Sequence, residues 1–384
     1  MLQYAVLAIL LISQICSADQ FSLAPDSNVI KQIVDARLIG NYHKADQLAI
    51  QIEAQYPNLT IGYALHLGTL NTRLSWDGSD TRWDKTVANT AKKLLSLCKQ
   101  PQPTHIQLAR SKLDCGTAYF SLSFMAGLRG NLYQAGTNGS KAIDHLENAL
   151  SLDPDLLEAK LPLGMAYYYA DHLPPFVKLF SALLWFIPKG QSDKSLPYIK
   201  QVINGSPLYS DSAKFVYADL LLQAQPERPE QALQILTALT EKYPENPRLH
   251  LANIAAIVMY DNPVAAKTAI NKFFFYCSDE KPLFVFYGRI WQAYVALASG
   301  EQLKPATSQK ILNRTTESLP AWSRDWLILT QGIILNYSGN KQQAQLKFNQ
   351  VLNNTDKNNK DWISQQAMLG LRDTPSKPWV PTLD

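Results

Sequence analysis

The residues with the chemistry to catalyse or to hold a metal are thinly spread along this sequence. His43, His66, His105, His145, His172 and His250 are its six histidines. None falls in the HExxH spacing that sets two imidazoles on one helical face, and none clusters with cysteine or acid at metal-ligand spacing. The G-x-S-x-G turn that presents a nucleophilic serine does not occur, nor does a Gly-rich phosphate loop ending in Gly-Lys-Ser/Thr. Asp171-His172 is an acid–imidazole neighbour pair, which reads more readily as a loop cap than as a base. Asp77, Asp80 and Asp84 sit in and beside the loop SWDGSDTRW. A calcium loop needs more oxygen ligands in order, so this reads as a packed surface loop. No catalytic, metal or cofactor site follows from these residues, and the expectation is a protein that is not an enzyme.

The elements available to position any site are helices. With 384 residues, 46% hydrophobic and 18% charged, the chain has ample apolar content for a core. Its net charge of +4 is too weak to argue for a nucleic-acid partner. Gly130 and Tyr133 recur as Gly164 and Tyr167, each 34 residues on, with Ala142, Leu146, Ala149 and Pro154 between. Glycine lets two helices approach closely. Ala142 and Ala149 share a helical face, and Pro154 cannot continue a helix. On this reading Gly130 and Gly164 both lie where the helices of a pair cross. The pattern returns as Gly40, Tyr42, Ala45 and Pro57, as Ala232, Leu239 and Pro244, and as Gly332, Gly339, Ala344, Phe348 and Val351, while Ala266 follows Ala232 by 34 residues.

Period and residue types together resemble the tetratricopeptide repeat, and the arrangement is similar to exported bacterial members of uncharacterised role. The resemblance implies an all-α fold: a right-handed superhelical solenoid of antiparallel helix pairs over 19–375. Its repeats fall at about 26–59, 60–100, 123–156, 157–209, 211–246, 247–280, 281–318 and 325–356, and 376–384 form an irregular tail. It also implies a protein or peptide bound in the concave groove, without identifying it, since fold alone does not give function. One subtype grips a C-terminal carboxylate with Lys, Asn and Arg. The matching positions here hold Ser27, Ile30, Lys31 and Val34, then Lys214, Tyr217, Ala218 and Leu221, which is not such a clamp.

The fourth unit carries about nineteen extra residues near 171–190, DHLPPFVKLFSALLWFIPKG. Phe176–Ile187 is apolar nearly all round a helix, a pattern that must be buried in protein or in lipid. Two readings stay open. Packed on the solenoid, the insert narrows the groove, and Tyr167, Tyr168, Tyr169, Lys178 and Trp185 become partner contacts. Exposed, residues 174–188 form a peripheral membrane or envelope contact. Oligomeric state is left open.

Residues 1–18, MLQYAVLAILLISQICSA, are apolar from Leu2 to Ile15 apart from Gln3, Ser13 and Gln14, and end in small residues. That suits a signal peptide cleaved after Ala18 and a periplasmic or secreted protein. The run is short for a membrane span. Export permits disulfides. Cys98 and Cys115 flank the Pro101-Gln102-Pro103 turn and are either bonded or two separately buried thiols. No CxxC redox motif is present.

Overall fold

The structure, a computed structural model, describes residues 25–172, 191–224, 229–260, 263–277, 282–317, 319, 321–354 and 362–372. Every regular element among them is helical. Successive helices pair as α1 (Ser27–Ile39) with α2 (Tyr42–Gln55), α3 (Thr60–Trp76) with α4 (Asp84–Leu97), and α5 (His105–Leu128) with α6 (Leu132–Leu152). The fourth and fifth pairs are α7 (Leu157–Asp171) with α8 (Ser192–Gly205) and α9 (Ser210–Ala224) with α10 (Glu230–Lys242). There follow α11 (Pro247–Tyr260) with α12 (Pro263–Cys277), α13 (Pro282–Ala298) with α14 (Pro305–Leu312), and α15 (Ala321–Tyr337) with α16 (Lys341–Asn354). A last helix, α17 (Trp362–Leu371), covers the end of the stack. Each pair's second helix packs on the first helix of the next, so the fold is an all-α solenoid.

Local sequence explains the punctuation. Gly40-Asn41, Gly130-Asn131 and Gly339-Asn340 make the same turn three times. The glycine takes positive φ (91°, 72° and 81°), which costs a residue with a side chain. The asparagine side chain then accepts a backbone N–H of the next helix, from Lys44, Gln134 and Gln343 at 3.0, 3.2 and 3.4 Å. Proline opens α11, α12, α13 and α14, where its missing N–H has no intrahelical partner to lose.

The core runs as apolar layers between pairs, from Ile33, Ala45 and Ile52 at one end to Phe273, Tyr294, Leu327 and Phe348 at the other. Ala45, Ala91, Ala142, Ala232 and Ala266, each on a second helix, are wholly buried. In α8 Ser195 takes that place and donates its hydroxyl to Gly164 O at 2.7 Å. Replacing Ala142 with Leu should overpack its crossing and cost about 1–3 kcal/mol. Urea denaturation measures this, and an unchanged midpoint would place Ala142 elsewhere.

The structure corrects the reading of Gly130 and Tyr133. Gly130 lies in the turn between α5 and α6, where a Cβ would meet nothing within 4 Å, and Tyr133 is 58% exposed. The crossing glycine of this pair is Gly116, whose Cβ would come 2.7 Å from Leu146 Cγ and 3.3 Å from Ala142 O. It is the counterpart of Gly164, which lies against Ile199 and Ser195 O. The error has a geometric source. α5 has 24 residues where α15 has 17, and α6 has 21 where α16 has 14. Each is longer by seven residues, close to two whole turns. Whole turns keep Ala142, Leu146 and Ala149 facing inward, while the turn glycine falls at the distance from Ala142 that the crossing glycine Gly332 keeps from Ala344. The third unit is therefore one long pair over 105–152, not a repeat beginning at 123.

Candidate functional site: the inner face of the solenoid

The stack curves until its first two pairs meet its sixth and seventh. Asn246, just before α11, donates through Nδ2 to Leu38 O at 2.8 Å, and its side chain lies against Gly40. Arg248 on α11 donates to Thr72 O at 2.7 Å. Its guanidinium lies 4.3 Å from the Tyr42 ring centroid and 4.8 Å from that of Trp76, at distances where cation–π attraction is effective. Trp76 in turn packs on Phe284 of α13 at 5.2 Å. Arg73 approaches Tyr42 at 5.6 Å, is held by Asp46 at 2.5 Å, and lies over Trp83 at 4.5 Å. Tyr42 thus sits near two guanidiniums. Burial raises its pKa against the pull of both cations. Burial also draws Arg248 down to about 10 although Tyr42 favours its charge.

Behind this seam five polar side chains converge. Arg37 donates to Thr69 Oγ1 at 3.1 Å and to Leu65 O at 2.8 Å, in space that only Gly68 leaves open, since a Cβ there would stand 2.7 Å from Nη1. Asp114 on α5 is 6% exposed and accepts the Thr60 hydroxyl at 2.5 Å. Burial pushes its carboxyl up to about 7, opposed by Thr60 and by the charge of Arg110. Tyr209, just before α9, has its pKa raised by burial and lies within the fields of Arg37, Glu158, Asp114 and Arg110. These residues come from the first, third, fourth and fifth pairs, and only the curvature brings them together. Two cations, two carboxyls and a phenol on one inner wall can recognise a polar main chain and charged side chains.

A second buried carboxylate behaves oppositely. Asp211, on α9, is 7% exposed and accepts hydrogen bonds from Lys214 at 2.8 Å, Tyr243 at 2.7 Å and Lys242. Burial pushes its pKa up, but those three bonds outweigh it and hold it at about 2. Because its folded pKa lies below the unfolded 3.8, it stabilises above that value and the gain is lost as pH falls through about 2. Asp211→Asn should cost about 1–3 kcal/mol at neutral pH and flatten the acid limb of the stability curve. An acid limb identical to the parent's would rule this out.

The tyrosine trio divides. Tyr167 is 2% exposed and donates its hydroxyl to Glu147 at 2.5 Å. Tyr168 is 3% exposed and stacks on His172 at 3.9 Å. Both are engaged in packing within the chain. Tyr169 is 45% exposed, with its pKa raised to about 12 by burial and the Asp219 charge. Lys178 and Trp185, with the rest of the insert from 173 to 190, lie outside the described residues, as do residues 1–24 and the tail from 373. The sulfurs of Cys98 and Cys115 are bonded at 2.07 Å, joining the end of α4 to α5. Cys277 is buried.

The remaining candidates are spent locally. Asp171 accepts the Ser192 N–H at 2.7 Å at the start of α8, while His172 Nδ1 meets Tyr168 O at 2.8 Å. Asp77 and Asp80 bond Ser79 and Arg82 within their own loop, and Arg129 pins that loop through Asp84, Asp80 O and Gly78 O. Among the described residues no group of three or more His, Cys, Asp or Glu could hold a metal ion. Sequence reasoning missed Arg37, Tyr42, Arg73, Arg110, Asp114, Glu158, Tyr209 and Arg248. Of these the sequence had marked Tyr42 alone, as part of a repeat; Asp114 shares its helical face with Arg110, Ser111, Thr117 and Ala118, which gives no signal of a buried carboxyl.

Fold and inner wall define the class as a helical-repeat solenoid of antiparallel pairs. No family model matches the chain, and no curated protein matches it. Among solved structures it is similar to the crystal structure of the yeast Tom70, at 11% identity and a TM-score of 0.31, over 88% of this chain and 87% of that one. So distant a likeness adds nothing to what the helices themselves establish.

Proposed function

We propose that this protein is an exported, non-enzymatic scaffold of the tetratricopeptide type that holds an extended segment of a protein or peptide along the inner face of its solenoid. The observation that carries the reading is the convergence of Arg37, Arg110, Asp114, Glu158 and Tyr209 from four different pairs. Charged groups turned inward cost solvation, and a polar ligand between them recovers it. A peptide array probed with residues 19–384 tests the reading. Selected peptides should lose about tenfold in affinity, the worth of one charged hydrogen bond, in Arg110→Gln and in Glu158→Gln with the melting temperature unchanged. Binding identical in both variants would overturn it.

Export rests on the apolar run from Leu2 to Ile15 and the small residues that follow it to Ala18. N-terminal sequencing of the native protein should read from Asp19, and an intact Met1 on a cytosolic protein would refute it. The all-round apolar pattern of Phe176–Ile187, which suits burial in protein or in lipid alike, allows a second reading, envelope contact through 174–188. Retained fold with lost liposome binding in Phe180→Asp, Leu183→Asp would favour that reading; loss of stability would place the insert against the solenoid.

A further inference from the structure

The solenoid is closed on itself by a contact unlike those that build it. Neighbouring pairs meet through apolar layers, as Ile33, Ala36, Ala45, Ile52 and Leu65 do between the first and second. Where the first two pairs meet the sixth and seventh, polar groups take over. Asn246 donates to Leu38 O and Arg248 to Thr72 O, and Trp76 packs on Phe284 and Tyr287 at 5.2 and 6.1 Å. Leu38 O lies in the last turn of α1, where carbonyls lack helical partners. Water replaces such a hydrogen bond at small net cost, whereas parting an apolar layer exposes all of its surface.

Two features work against the closed seam. Arg73 and Arg248 both approach the Tyr42 ring, at 5.6 and 4.3 Å, and like charges repel. Arg248 Nε and Asp46 Oδ1 are buried there without a hydrogen-bond partner among the described residues. Opening returns both atoms to water and recovers their hydration. A solenoid opens by small sliding at each interface, so the ends can part with every apolar layer intact. The closure also bears on the inner wall. Asp114 is 6% exposed, and Arg37 and Tyr209 are half-buried. A segment laid along that wall needs room that the closed curve does not leave.

We propose that Asn246, Arg248 and Trp76 form an autoinhibitory latch: the closed solenoid is the resting state, and a peptide reaches the inner wall when the two ends part. This rests on the peptide-binding reading of that wall. Asn246→Ser tests it on the same peptide array. Asn246 caps α11 by accepting the Arg248 N–H at 3.0 Å. Serine caps as well, so α11 keeps its start, but its hydroxyl is too short to reach Leu38 O. Losing that bond should shift the balance toward the open form about tenfold. Apparent affinity scales with the competent fraction, so peptides selected by the parent should bind the variant up to about tenfold tighter although it melts lower. Unchanged or weaker binding would overturn the latch and leave peptide binding standing. An array on which parent and variant both select nothing would refute the peptide reading, and the autoinhibitory role with it. A second arm needs no peptide. Nitroxides on His43→Cys and Glu245→Cys replace exposed residues that flank the seam, while Cys277 is buried and Cys98 and Cys115 are bonded. Pulsed electron paramagnetic resonance should give one short distance in buffer. In urea too dilute to reduce the helical circular dichroism, a second, longer distance should join it, because the seam opens before the helices unfold. A short distance that persists until the helices melt would overturn the proposal.

Discussion

Asp114→Asn should be more stable than the parent at pH 8 and no more stable at pH 3.8. The folded Asp114 carboxyl titrates near 7 against 3.8 in the unfolded chain, because burial disfavours its charge. Between those values the folded protein keeps a proton that the unfolded one has released. Its contribution is therefore complete below 3.8 and is lost as pH rises through about 7. The interval is about three pKa units at 1.36 kcal/mol each, an upper bound near 4 kcal/mol, and we expect a difference of about 2–4 kcal/mol. Asparagine keeps the acceptor that Thr60 needs at 2.5 Å, so the substitution removes charge without stranding a hydroxyl. Other titrating groups are common to both proteins and cancel in the comparison. Urea denaturation of both from pH 4 to pH 8 measures it, and a difference that does not change with pH would show that Asp114 is charged throughout. A basic side chain bound on the inner wall would pull this pKa down, so a ligand of that kind should release a proton on binding near pH 6.

Arg248→Ala should open the seam between the ends of the curve. The guanidinium touches two aromatic rings and donates to Thr72 O. A desolvated cation–π contact is worth about 2 kcal/mol and a hydrogen bond about 1 kcal/mol. Against these stands the buried Nε, which has no partner among the described residues and offsets part of the gain. We expect a net loss of about 2–4 kcal/mol, with a larger radius of gyration in solution scattering as the first two pairs leave the sixth and seventh. Arg248→Met keeps the length of the side chain and its packing against Tyr42 and Trp76, so it separates packing from charge: it should retain the compact radius with a smaller loss. Scattering and melting unchanged in Arg248→Ala would mean that Asn246 and Trp76 hold the seam alone.

Much of the architecture was legible because its causes are local. A Gly-Asn turn, a proline at a helix start and a buried alanine on most of the second helices act through backbone conformation, capping and side-chain volume within a few residues. Gly164, Ala142, Leu146, Phe348 and Val351 could therefore be placed on inward faces from spacing alone. Gly130 shows where spacing fails. Adding two turns to each of α5 and α6 preserves every face, so a turn glycine slipped into the position expected of a crossing glycine. Tyr167 and Tyr168 make a related point: period places a residue on a face, but only the neighbouring pair decides whether that face is open.

By itself, then, the sequence determined that this protein is built of antiparallel helical pairs. The tertiary structure alone decided that Arg248 meets Tyr42 and Trp76 and that Arg37 and Asp114 act on Tyr209. The physical reason is that curvature accumulates from a small rotation at every pair. No single residue encodes that sum, so contacts across 176 and 208 positions of chain exist only once all the intervening pairs have stacked.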